Sequence, residues 1–249
     1  MFTIIKNIKD YEPALVNKIF DYVFVPCSED QEGKYKYIRA MPEPETKTIS
    51  DEAFYGNKTL ECIIIDDSVE TIGYGAFNGC SKLTNITIPD SVENIGYSAF
   101  SCCSSLTHVT TGNSIKTISN GAFNGCSKLT NITIPDSVEN IGYSAFSCCS
   151  SLTHVTIPNS VKTIGSNTFN RCSSLNNVTI GNSVETIGYR AFSDCSKLTH
   201  LTIGNSVVII GNYAFYKCLS LREVSIPSHL EEQVKDDYVC PEHTNVIVR

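Results

Sequence analysis

From Phe54 onward, apolar and polar positions repeat on a fixed period of 23 residues. The turn that opens at Phe77 shows the template. Cys80 and Leu83 follow the phenylalanine, and Ile86 and Ile88 then alternate with Asn85 and Thr87. That period-2 alternation predicts a strand with one buried face. Pro89 ends it, because proline has no N–H for a ladder; Gly112, Gly181 and Gly204 stand at the same place in other turns. A second short strand is predicted over Val92–Ile95, with Val and Ile inward. Gly96 turns the chain, and Tyr97-Ser98-Ala99-Phe100 brings it back to the core. Eight of every 23 positions are thus apolar and inward: Phe, Cys, Leu, Ile, Ile, Val, Ile and Ala.

The phenylalanines fall at Phe54, Phe77, Phe100, Phe123, Phe146, Phe169, Phe192 and Phe215, and seven cysteines follow from Cys80 to Cys218, with Asn57 in the first place. A unit this short cannot bury its apolar face by itself, so a fixed period of this size predicts a stack in which each turn covers the next. One solenoid of eight to ten turns is expected over residues 46–227, with caps at 1–45 and 228–249. The segment Gly75–Thr110 returns unchanged as Gly121–Thr156, a duplication of a two-turn unit. Thr111 stands where other turns carry Ile.

The ends read differently. Asp10 and Pro13 make a helix start, Leu15, Ile19, Phe20 and Val23 fall at helical spacing, and Pro26 ends the run, which predicts a partly helical N-terminal cap. The stretch Leu15–Val23 also resembles the start of an F-box, a partner-docking helix. Tyr35–Met41 reads as a degenerate first strand, one residue out of register with the later turns. After Pro227, Gln233 and Val234 replace the expected Ile and Gly; His229–Tyr238 reads as a charged helix and Thr244–Val248 as a last strand. Five carboxylates against Lys235 and Arg249 in this C-terminal cap keep the stack end soluble and unpaired.

Composition narrows the function. A net charge of −7 with unclustered Lys and Arg speaks against nucleic acid and anionic membrane, which need a basic footprint. No 18-residue apolar run predicts membrane insertion. The N-terminus lacks the apolar stretch of a secretory signal, so the twelve cysteines are expected reduced and the protein cytoplasmic, with the cell surface by a non-classical route as the alternative. The sequons at Asn57, Asn85, Asn131 and Asn177 agree, because export would load glycans onto the predicted sheet.

The motif Leu83-x2-Ile86-x-Ile88-Pro89-x2-Val92-x2-Ile95-Gly96-x2-Ala99-Phe100-x2-Cys103 closely resembles the BspA-like class of leucine-rich repeats, over about residues 46–230. The resemblance implies a right-handed leucine-rich-repeat solenoid, with a parallel β-sheet on one face, short second strands and turns on the other, and caps at both ends. It also implies a surface protein that binds host or partner proteins, with some members acting as adhesins.

Candidate chemistry is sparse. No nucleophile elbow, phosphate loop, dinucleotide fingerprint or zinc-protease helix occurs, so no enzyme and no cofactor are expected. The cysteine column reads as core rather than as a redox or metal site. Cys240-Pro241-Glu242-His243, with His229 and Cys218, makes a weak zinc signal. On the second strands Glu93, Lys116, Glu139, Lys162 and Glu185 alternate in sign. The partner surface is expected on the outward face of the main sheet. There Asn85, His108, Asn131, His154, Asn177 and His200 run beside Thr87, Thr110, Thr133, Thr156, Thr179 and Thr202. The expected ligand is a protein of unknown identity; a structural, self-associating repeat protein is the alternative.

Overall fold

The computed structural model describes residues 47–234 and 239–249, and the backbone of 38–40. The N-terminal helix, its F-box-like stretch and the end of the charged segment before Val239 lie outside the described residues.

Two sets of parallel strands wind through the chain. The main set is β1 (Ile38–Ala40), β3 (Cys62–Ile65), β5 (Asn85–Thr87), β7 (His108–Thr110), β9 (Asn131–Ile132), β11 (His154–Ile157), β13 (Asn177–Ile180), β15 (His200–Thr202), β17 (Glu223–Ile226) and β18 (Asn245–Val248). The second set is β2 (Thr48–Ile49), β4 (Thr71–Ile72), β6 (Asn94–Ile95), β8 (Thr117–Ile118), β10 (Asn140–Ile141), β12 (Thr163–Ile164), β14 (Thr186–Ile187) and β16 (Ile209–Ile210). The second set is one continuous eight-stranded sheet. Register follows the repeat: Asn85 lies opposite His108, and Thr71 opposite Asn94.

Between the sheets lies the core. The eight phenylalanines are buried and stack nearly parallel, with ring centroids 5.1 to 5.7 Å apart. That spacing matches the rise of one rung and suits offset aromatic stacking. Each column cysteine does more than fill space. The Cys80 thiol donates to the Phe54 carbonyl at 3.1 Å, and the Cys149 thiol to Phe123 at 3.2 Å. Asn57, at the cysteine position of the Phe54 turn, uses its Oδ1 to accept from the N–H groups of Thr59 and Leu60.

Several expectations shift. The second strands have two residues rather than four, because the Val92 N–H is turned back to the Pro89 carbonyl. The first strand pairs Ile38 with Ile63, a 25-residue step, so it slips by two residues and not one. An even slip keeps the period-2 alternation in phase, which an odd one would invert. Gly96 serves close approach more than turning: a Cβ there would lie 2.7 Å from the Ile72 carbonyl of the preceding turn.

A third ladder was not anticipated. Residues two before and two after each phenylalanine adopt the left-handed backbone, as at Ser98 and Cys102. The alternation aims successive N–H groups at the next turn: Ser98 to Asn120 O, Phe100 to Ala122 O and Cys102 to Asn124 O. Glycine fits such positions without strain, but only five of the sixteen are glycine.

At the C-terminal end, a 3-10 turn at Ser228–Leu230 leads into a single-turn helix, α1 (Glu231–Val234); Leu230 of the turn and Val234 of the helix are buried over the core. The expected last strand is β18, paired with β17.

Candidate binding surface

All twelve residues expected on the outward main-sheet face are exposed, in two parallel rows. The strands alternate faces, so Ile86 or Val109 is buried between an Asn or His and a Thr. Thr87 lies opposite Thr110, and Thr156 opposite Thr179.

A neighbouring threonine column holds the first row in place. The hydroxyls of Thr84, Thr107, Thr130 and Thr153 donate to the carbonyl of the equivalent residue one turn earlier. Their oxygens then receive the face residues. Asn85 Nδ2 donates to Thr84 Oγ1 at 3.1 Å, and His154 Nδ1 lies 3.0 Å from Thr153 Oγ1. Since the Thr153 hydroxyl proton is engaged with Thr130 O, its oxygen accepts from Nδ1–H. The neutral ring therefore keeps Nε2 as an exposed acceptor. The recurrence of Thr just before the Asn/His position was the available signal for this support.

The main sheet is not continuous. Its ladder breaks between β9 and β11 and again between β13 and β15, leaving five-, two- and three-stranded pieces. Near the first break, the Thr111 hydroxyl takes the Thr133 carbonyl at 2.8 Å, where regular turns use a backbone N–H, as in Ile88 to Thr110. The second break carries an open groove of about 420 Å³. Asn177, Thr179, His200 and Thr202 line it with Asn182, Asn205 and Arg249. Arg249 donates through Nη2 to the Ile203 carbonyl at 2.5 Å.

The other candidates stay apart. Burial pushes up the thiols of Cys80, Cys103, Cys126, Cys149, Cys172 and Cys195, Cys80 to about 12, so they remain protonated donors. The weak zinc set does not converge: Cys218 bonds the Phe192 carbonyl, and His229 Nε2 lies 2.7 Å from Val207 O. Among the described residues no group of three His, Cys, Asp or Glu is placed to hold a metal, and no helix is long and apolar enough to cross a membrane. In the charged row, Lys116 pairs with Glu93 at 2.7 Å, with both side chains exposed.

A family model described as the BspA type leucine rich repeat region matches residues 47–173 and 139–237, with six copies. Among solved structures, the chain is similar to the leucine-rich-repeat protein of T. pallidum, at 28% identity over 81% of this chain and 88% of that one, with a TM-score of 0.62. It is also similar to a leucine-rich repeat protein from Bacteroides ovatus, at 24% identity over 86% of this chain and 83% of that one, with a TM-score of 0.36. No curated protein matches the chain significantly.

Proposed function

This chain belongs to the BspA-type leucine-rich-repeat family, and on that premise we propose that it is a non-catalytic module that binds a protein partner through the outward face of its main sheet. Repeats of this family commonly mediate protein interaction or adhesion, and no enzymatic family is indicated. The observation that carries the choice of face is the double row from Asn85 and Thr87 to His200 and Thr202, free of Asp, Glu, Lys and Arg and exposed throughout, with the groove at its C-terminal part. Such groups gain hydrogen bonds to a partner without stripping water from full charges. Their rigid strands and the threonine support limit the ordering cost of association, and a regular array lets many weak contacts add.

The test compares captures from host extract by the intact protein and by a His154→Lys, Thr156→Glu variant. Both positions are solvent-facing, so the variant folds; it is expected to lose the partner. Full retention by this variant, with loss on reversing Glu93 and Lys116, moves the site to the charged face. Concentration-dependent self-association without any captured partner favours a structural repeat protein instead.

A further inference from the structure

A second surface, independent of the main-sheet face, has a different chemistry. Three residues before the core phenylalanines from Phe77 to Phe192 the chain places Tyr74, Tyr97, Asn120, Tyr143, Ser166 and Tyr189 in one row. The tyrosines are exposed, Tyr97 by 56% and Tyr143 by 54%. Asn120, with no ring, leaves an opening between Tyr97 and Tyr143. A groove of about 230 Å³ opens beside Tyr97, lined by Thr117, Asn120, Asn140 and Thr163 together with Ile118, Ile141 and Gly142, and Tyr143 follows Gly142 in the chain. Tyr97 and Tyr143 are two rungs apart, about 10 Å by strand spacing.

The floor is fixed and neutral. Asn140 lies in register between Thr117 and Thr163 on the outward side of the second sheet. Asn120 Oδ1 accepts the Tyr143 N–H at 2.8 Å, which leaves the Asn120 amide NH2 to donate. Gly142 lets the turns meet so closely that a Cβ there would lie 2.4 Å from Asn120 Oδ1. In the flanking row Glu93 pairs with Lys116, and Glu139 and Lys162 follow with opposite signs, so these four charges sum to zero beside the groove. The arrangement recurs two turns on, where Ser166 separates Tyr143 from Tyr189.

We propose that this tyrosine-flanked groove binds an extended, uncharged polysaccharide. A sugar ring offers an apolar C–H face to an aromatic ring and hydroxyls to amides and threonines, which is the pairing this surface supplies. The two-turn recurrence suits a polymer of identical units, whose weak contacts add along its length. A folded protein partner would call for a desolvated apolar centre, whereas the isoleucines of this lining, Ile118 and Ile141, are buried in the core and leave the outward side chains of Asn120, Asn140, Thr117 and Thr163 to meet a ligand.

Native gels cast with hydroxyethyl cellulose, a neutral β-linked glucan, test this. The wild-type protein is expected to be retarded relative to a gel without polysaccharide. Tyr97→Ala with Tyr143→Ala is expected to weaken retardation about tenfold or more, the loss typical of hot-spot aromatics. The His154→Lys, Thr156→Glu variant should be retarded like wild type, which separates this site from the main-sheet face. Both tyrosines are solvent-facing, and a thermal melt verifies that the double variant is folded. An unretarded wild-type protein, or a folded double variant retarded equally, overturns the proposal.

Discussion

The side chain of Gln233 takes the place of a missing strand beside Ile210. Its Oε1 accepts the Ile210 N–H at 3.2 Å, and its Nε2 donates to the Val208 carbonyl at 3.2 Å. Position 233 is one repeat beyond Ile210, where the template calls for another inward isoleucine. The substitution that ends the repeat in sequence therefore also closes the edge of the second sheet. Gln233→Leu is expected to cost about 1–3 kcal/mol by stranding the Ile210 N–H. It should also bare an edge that pairs with other molecules. Urea denaturation and light scattering over a concentration series measure both, and unchanged values in each would refute the capping role.

Phe146 stands in mid-stack, 5.4 Å from Phe123 and 5.3 Å from Phe169 by ring centroid. Truncation to alanine removes a buried ring between two rigid neighbours that cannot collapse inward. A loss of about 3–5 kcal/mol is expected, read by urea denaturation. A loss under about 1 kcal/mol would mean that the column is not what holds adjacent turns together.

Arg171 is exposed with φ of 61°, at a position occupied by Gly56, Gly79 and Gly125 in other turns. A left-handed L-residue costs roughly 1–2 kcal/mol, and glycine returns part of that as unfolded-state entropy. Arg171→Gly is expected to raise stability by up to about 1 kcal/mol, measured by thermal melting. Destabilisation would show that the arginine side chain makes a compensating contact.

Buried thiols make stability fall in alkali. An unfolded cysteine ionises near about 8.5, whereas burial holds Cys80 and Cys240 protonated to about 12 and raises Cys103, Cys126, Cys172 and Cys195 well above the ordinary value. Below the unfolded value both states keep the proton, so the contribution is complete. As pH rises from there toward the folded value, only the unfolded chain releases protons. Each such thiol then removes up to about 1.4 kcal/mol per pH unit. Denaturation midpoints should drop steeply above about pH 9. At neutral pH, among the described cysteines, a thiol reagent should label exposed Cys102 first, then half-buried Cys62 and Cys148, and the buried ones only after denaturation. Rapid labelling of Cys149 in the native protein would contradict the burial argument.

The stack, its period, the inward set and the outward rows were legible in the sequence because each depends on local alternation repeated without a slip. The pattern of Asn85, Ile86 and Thr87 already states which side chains face water, and the recurring phenylalanine states what they pack around. What the sequence left undecided are relations between turns. A thiol donating to the carbonyl 26 residues earlier, a threonine hydroxyl bonding 23 residues back, and Gln233 completing a ladder are bonds between atoms that only stacking brings together. The breaks in the main sheet are also of that kind. Near the first the Thr111 hydroxyl takes the Thr133 carbonyl, and at the second a groove opens. A one-dimensional pattern specifies which face a residue occupies. Only the packed turns decide which polar groups remain unspent on it.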